Sequence, residues 1–167
     1  MRAELARVGA LIEPHIPTGR FIPAENLHLT LAFLGNVDDD RIAAVGDAVA
    51  EGARGHDAID TSLAGLGVFP SRKRARVLWA GLADRQGRLR AIAAAVQAAL
   101  EPLGFEPEKR AFHAHVTLAR LRQPGPVGVE RVALEPLAFT IDRVILFRSH
   151  LGRGFPRYEQ TTSVRLG

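Results

Sequence analysis

Two short stretches hold the residues best suited to chemistry. His28-Leu29-Thr30-Leu31 and His115-Val116-Thr117-Leu118 repeat one pattern, a histidine and a threonine two residues apart with apolar residues between and after them. In an extended chain, alternate side chains share a face. Each stretch would then present an imidazole and a hydroxyl together. Leu27, Leu29, Leu31 and Phe33 form an apolar row behind the first copy, and Val116 and Leu118 behind the second. With six histidines and seven threonines in 167 residues, chance gives about 0.25 such triplets, or about 0.06 with both apolar positions required. Two copies therefore point to a built feature, whereas one would mean little.

Histidine is the side chain whose ordinary pKa lies near neutrality. Two of them across a cleft can divide the work of a displacement, one taking a proton from the nucleophile and the other giving one to the leaving group. That division suits in-line attack at phosphorus, where the attacking and departing oxygens lie on opposite sides. Hydroxyls two residues along each strand can donate to the non-bridging oxygens, so the chemistry needs no metal or other cofactor. His113 lies on the His115 face and raises the alternative of a metal site with His28 and His115. No carboxylate accompanies it at a familiar ligand spacing. His15, His56 and His150 stand outside any constellation and read as surface or structural residues.

Composition limits the setting. The chain has 47% apolar residues, 24% charged residues and no cysteine, so disulfides, thiolate metal sites and cysteine nucleophiles are excluded. Its formal charge is +4 and its sequence pI is about 10.5, with arginine supplying most of the positive charge. Arginine's planar fork suits phosphate, so a nucleic-acid or nucleotide partner fits. A high-GC genome would leave the same arginine- and alanine-rich composition. No apolar run reaches membrane-span length, and the first residues lack a signal-peptide core. A soluble, cytoplasmic, monomeric protein with no membrane partner is expected.

The elements that must position these groups can be read in turn. Residues 2–13 have helical spacing of Leu5, Val8 and Ile12, closed by Pro14 and Pro17. A first motif strand is expected over 27–34. Asp38-Asp39-Asp40 could bind metal or supply an N-cap and acidic first turn for a helix over 42–53. Strands are expected over 59–69 and 75–82. The loop between them, Phe69-Pro70-Ser71-Arg72-Lys73-Arg74, is either a solvated turn or a clamp for RNA phosphates through Arg72 and Arg74. Trp79 reads as core. A helix is expected over 84–102, a second motif strand over 111–121, and strands at about 131–140, 142–151 and 157–166. Gly152-Arg153-Gly154-Phe155-Pro156 joins the last two as a hairpin turn, since no strand-loop-helix context supports a phosphate cradle there. Mixed elements with short turns between the later strands predict an α+β fold of largely antiparallel sheets in a single domain. Their order suggests two similar halves.

The paired motifs resemble those of the 2H phosphoesterase superfamily. More narrowly, Pro23 through Gly35, Gly67-Val68-Phe69-Pro70, Arg76 through Gly81, His115 through Arg120 and the stretch from Ser149 to Tyr158 are similar to the RNA 2′,3′-cyclic phosphodiesterases, historically called 2′-5′ RNA ligases. The resemblance covers nearly the whole chain. It implies a bilobal α+β fold, with two pseudo-symmetric lobes around a central cleft and one motif from each lobe. It also implies metal-independent hydrolysis of RNA 2′,3′-cyclic phosphate ends to 2′-phosphomonoesters. His28 would be the proton donor, His115 the proton acceptor, and Thr30 and Thr117 the phosphate holders. Phe33 would lie near the terminal base and Arg120 would help bind the nucleotide or phosphate. Reverse 2′-5′ ligation and an RNA-binding module without activity are the competing readings. Two departures stand out. Family members usually open on a hydrophobic strand, while this sequence opens on a helix, which would expose a sheet edge or weaken a lobe. Ala114 also stands where a proline usually precedes the second histidine.

Overall fold

The computed structural model describes residues 2–16, 18–128 and 137–167. They form two compact units. Among the described residues, no helix is long and apolar enough to cross a membrane.

The first unit comprises Met1–Leu29, Thr61–Ala83 and Ala114–Phe139. Its helix, α1 (Arg2–Ile12), buries Leu5, Val8, Gly9 and Ile12, the stripe that their spacing predicts. A 3-10 turn over Glu13–His15 ends it, where Pro14 has no N–H to continue the ladder. The strands are β1 (Gly19–Phe21), β2 (Ile59–Phe69), β3 (Ala75–Leu82), β4 (His115–Gly125) and β5 (Ala138–Ile141), in the sheet order β1-β4-β3-β2-β5. The pairs β1–β4, β2–β3 and β3–β4 are antiparallel. One face of this sheet is apolar: Leu78, Ala80 and Leu82 of β3 and Val116, Ala119 and Leu121 of β4 are all buried. Gly9 of α1 approaches Phe21 of β1 on that side, so the helix stripe and the sheet face make one core.

The second unit comprises Thr30–Asp60, Asp84–His113 and Thr140–Gly167. Its elements are α2 (Ile42–Ala53), α3 (Arg88–Leu100) and an antiparallel hairpin of β6 (Arg143–His150) and β7 (Arg157–Arg165). The two helices meet at Gly52, where an added Cβ would stand 2.6 Å from the Val96 Cα. Only a residue without a side chain allows that approach.

Strands 59–69 and 75–82 and helix 42–53 lie where the sequence places them. Other boundaries differ for local reasons. The 84–102 helix begins only at Arg88, because Asp84 turns back and accepts from the N–H groups of Leu89 (2.9 Å) and Arg90 (3.0 Å). It tightens to 3-10 over Glu101–Leu103 at Pro102. The second motif strand starts at His115 rather than 111 and runs on to Gly125. Most of the strand expected at 131–140 falls outside the described residues, and its end appears as β5. Asp38 precedes a 3-10 turn, Asp39–Arg41, without making a side-chain cap. Asp39 instead pairs with Arg148 of β6 at 2.8 Å. The largest difference is the first motif. Residues 27–34 form no strand, and their only ladder contact is an isolated antiparallel bridge from Leu29 to Val116.

Candidate active site

The second motif is built into the sheet. His115 pairs with Gly81 and Thr117 with Trp79 across β3–β4. Residues directly opposite each other project to the same side, so His115, Thr117, Gly81 and Trp79 share the face opposite the α1 core. Val116, between them, is completely buried. The alternation read from the sequence holds here, because one side of β4 has a core to fill.

It fails two residues later, to the site's advantage. The β3–β4 register slips between the Trp79–Thr117 and Leu78–Ala119 pairs, so Leu118 is an extra residue in β4. Leu118 and Ala119 are both buried, at 1% and 0% exposure, as a bulge requires. Beyond it Arg120 pairs with Val77, which lies on the same side of β3 as Trp79 and Gly81. Strict alternation from His115 would have turned Arg120 to the core. The bulge re-aims it to the face of His115 and Thr117. The same arginine stands opposite Arg20 across β1–β4, and both are exposed.

Aromatic rings flank His115. The Phe69 and Trp79 ring centroids lie 5.5 and 5.9 Å from its imidazole, both edge-on, and 5.2 Å from each other. Trp79 is therefore a half-buried wall of the histidine face, not the core residue its strand position suggests. Gly67 makes this possible: an added Cβ would come within 2.1 Å of Trp79 Cζ2. The ring lies where a side chain at 67 would be.

The first motif reaches the same strand by another route. After β1 the Ile22 N–H still donates to the Leu118 carbonyl at 2.8 Å. The chain then loops out through a 3-10 turn, Ala24–Asn26, and returns at the Leu29–Val116 bridge. Leu29 and Val116 point to one side, so His28 and Thr117, which flank the bridge, project to the other. His28 Nδ1 lies 2.7 Å from the Asn26 carbonyl oxygen. A carbonyl can only accept, so Nδ1 carries a proton and Nε2 is the atom that gains or loses the second one. Arg2 Nε donates to the Leu27 carbonyl at 3.0 Å and fixes the residue before it.

Both histidines thus fall within the first unit, along with Thr117, Arg120, Arg72 and Arg74, while Thr30 and Phe33 fall in the second. The unit boundary runs through the first motif itself, so the expectation of one motif per lobe holds only for its threonine half. In the second unit Gln97 of α3 donates to the Leu31 carbonyl at 2.8 Å and accepts from the Glu108 N–H at 3.1 Å, holding the chain just after Thr30. Phe33 is 89% exposed and does not join an anchoring apolar row with Leu27. Arg72, Lys73 and Arg74 form an exposed 3-10 turn beyond Phe69. Among the described residues no group of three His, Cys, Asp or Glu side chains is placed to hold a metal ion, so His113 does not complete a triad with His28 and His115. His150 pairs with Glu159 across the β6–β7 hairpin at 2.6 Å. Arg20, Phe69, Trp79 and Gln97 were not singled out for the site by sequence. Phe69 and Trp79 fall within the family-like stretches Gly67-Val68-Phe69-Pro70 and Arg76 through Gly81, and Gly67, opposite Trp79, leaves the space its ring fills.

Known proteins resemble this chain in sequence and fold. A family model described as the 2′-5′ RNA ligase superfamily matches residues 12–153. The RNA 2′,3′-cyclic phosphodiesterase of Aeropyrum pernix is 42% identical over 98 residues, which is 59% of this chain and 54% of the relative. That of Geobacillus stearothermophilus is 32% identical over 148 residues, 86% of this chain and 46% of the relative. The chain spans about half the length of these two curated relatives. It spans 92% of a third of the same name, from Methanothermobacter thermautotrophicus, at 26% identity. Among solved structures, TT0787 of Thermus thermophilus superposes with a TM-score of 0.82 at 27% identity, over 99% of this chain and 91% of its own. Escherichia coli LigT complexed with 3′-AMP does so with a TM-score of 0.75 at 27% identity, over 99% and 90%. With a family model running from the end of α1 into the β6–β7 turn, and one fold shared over almost its whole length, the chain belongs to the 2′-5′ RNA ligase superfamily.

Proposed function

We propose that the protein hydrolyses RNA 2′,3′-cyclic phosphate ends to 2′-phosphomonoesters by proton transfer between two histidines. The observation that carries this reading is the Leu29–Val116 bridge, which turns His28 and Thr117 to the face that His115 occupies. His115 takes a proton from the attacking water. The new P–O bond forms as the bond from phosphorus to the 3′ oxygen breaks, and His28 Nε2 gives its proton to that departing oxygen. Thr30 and Thr117 donate to the non-bridging oxygens, and Arg120, further along the same sheet face, adds a charged, planar donor set that binds the nucleotide strand. Phe33, almost wholly exposed, offers a surface on which the terminal base can stack. Arg72 and Arg74 meet phosphates further along the RNA. The step draws on no metal.

Incubation with an oligonucleotide ending in a 2′,3′-cyclic phosphate, in the presence of EDTA, should yield a 2′-phosphate end. Absence of turnover, or turnover that EDTA abolishes, overturns the reading. The family model's description favours one further activity, 2′-5′ ligation, in which a 5′ hydroxyl attacks in place of water, giving its proton to His115 while His28 again protonates the departing 3′ oxygen. Ligation yield measured beside the hydrolysis rate separates the two. We take the working form to be a cytosolic monomer, since one chain carries both histidines. Sedimentation as a single species of 18.1 kDa is the expected result.

A further inference from the structure

Arg20 is a charged residue on the histidine face that the proposed chemistry leaves unused. The Ile22 N–H donates to the Leu118 carbonyl and the Arg122 N–H to the Thr18 carbonyl. Hydrogen-bonded rungs alternate along an antiparallel pair, so the Arg20–Arg120 pair between them is also hydrogen-bonded, with its Cα atoms about 5.5 Å apart. The two side chains project to the same side. Through the bulge at Leu118, that is the side of His115 and Thr117. Two planar guanidinium groups side by side on one face make a clamp suited to a phosphate.

The clamp is not the site of the reacting phosphate. Arg120 stands three residues along β4 from Thr117, about 10 Å of extended chain at most. That separation suits a second phosphate of the same strand.

We propose that Arg20, opposed to Arg120, forms a subsite for the phosphodiester next to the reacting terminus, so that the enzyme favours oligonucleotide ends over single nucleotides. This rests on the function proposed above. Arg20 is a substrate-positioning residue and touches no reacting atom.

The test compares wild type, Arg20→Ala and Arg20→Lys on two substrates: an oligonucleotide with a 2′,3′-cyclic phosphate end, and a nucleoside 2′,3′-cyclic phosphate, which has no second phosphate. Arg20→Ala should lower the ratio of kcat/KM for the oligonucleotide to that for the nucleotide about tenfold, as loss of one charge-assisted contact implies. Most of the loss should appear in KM. Fluorescence anisotropy with an oligonucleotide ending in a 3′-phosphate gives the second readout. Arg20→Ala should reduce the slope of log K against log salt by about 0.7, one phosphate contact on a single strand. Arg20→Lys should restore the slope without the full affinity, because a point charge replaces a planar fork. An equal loss on both substrates, or an unaltered salt slope, overturns the proposal. If wild type hydrolyses neither substrate, the assigned function falls, and the binding slope still decides the role of Arg20.

Discussion

The two motifs share a sequence pattern and almost nothing of their local structure. His115-Val116-Thr117 sits inside β4 with a strand against it and a core beneath it. His28-Leu29-Thr30 has one bridge and no strand. The second copy takes its geometry from a backbone ladder. The first takes it from side chains that hold backbone carbonyls: Arg2 on Leu27, His28 on Asn26 and Gln97 on Leu31. A ladder tolerates the loss of any one side chain. A tethered segment depends on each tether, so the first motif is the one that single substitutions should displace.

Removal of the imidazoles tests whether the copies are equal in chemistry. His28→Ala and His115→Ala should each lower kcat by about 10²–10⁴, the range for one proton-transfer role. If the two act as a pair, the double variant should lose far less than the product of the single losses. A fully multiplicative loss in single-turnover assays would break the pairing.

Packing around the second motif comes next. Gly67→Ala should cost about 1–3 kcal/mol, because the new Cβ would overlap Trp79. The shift of that ring should perturb His115 and leave His28 alone. Denaturant unfolding gives the cost, and the His115 imidazole resonances report the local change.

The tether in the second unit should weigh less on stability. Gln97→Ala removes two hydrogen bonds, about 1–2 kcal/mol together. Hydrogen exchange should rise in the segment after Thr30 while β4 stays protected. Equal loosening of β4 would mean that the two copies are not held independently.

The smallest effect belongs to the exposed hairpin pair. The bond from His150 holds the Glu159 carboxyl below its usual pKa, helped by charge from His150, Arg157 and Arg148. A lowered folded pKa adds stability that is complete above the ordinary carboxylate pKa and is lost as pH falls through the folded value. The Tm of wild type should therefore fall slightly more than that of Glu159→Gln on acidification below the ordinary value of 4.5. Activity ratios between the two should stay level, since the pair lies apart from both histidines in the sequence and on another sheet.

Much of this molecule was legible in residue order alone. The doubled histidine–threonine spacing marked the candidate groups. The helical stripes of α1, α2 and α3 followed from period, and β2 and β3 from apolar runs bounded by Gly and Pro, because local propensity and burial agree in those elements. Three things were decided only in three dimensions. The first motif has the alternation of a strand but no strand, since pairing depends on a partner and β4 meets this segment only at Val116. Arg120 faces the histidines only because β4 takes an extra residue against β3, and a bulge is a property of two strands. Arg20 and Trp79 join that face through cross-strand register, which places residues far apart in the chain side by side. The sequence determined which groups are available for the chemistry. The fold decided on which side of the sheet they meet, because that choice is made between strands.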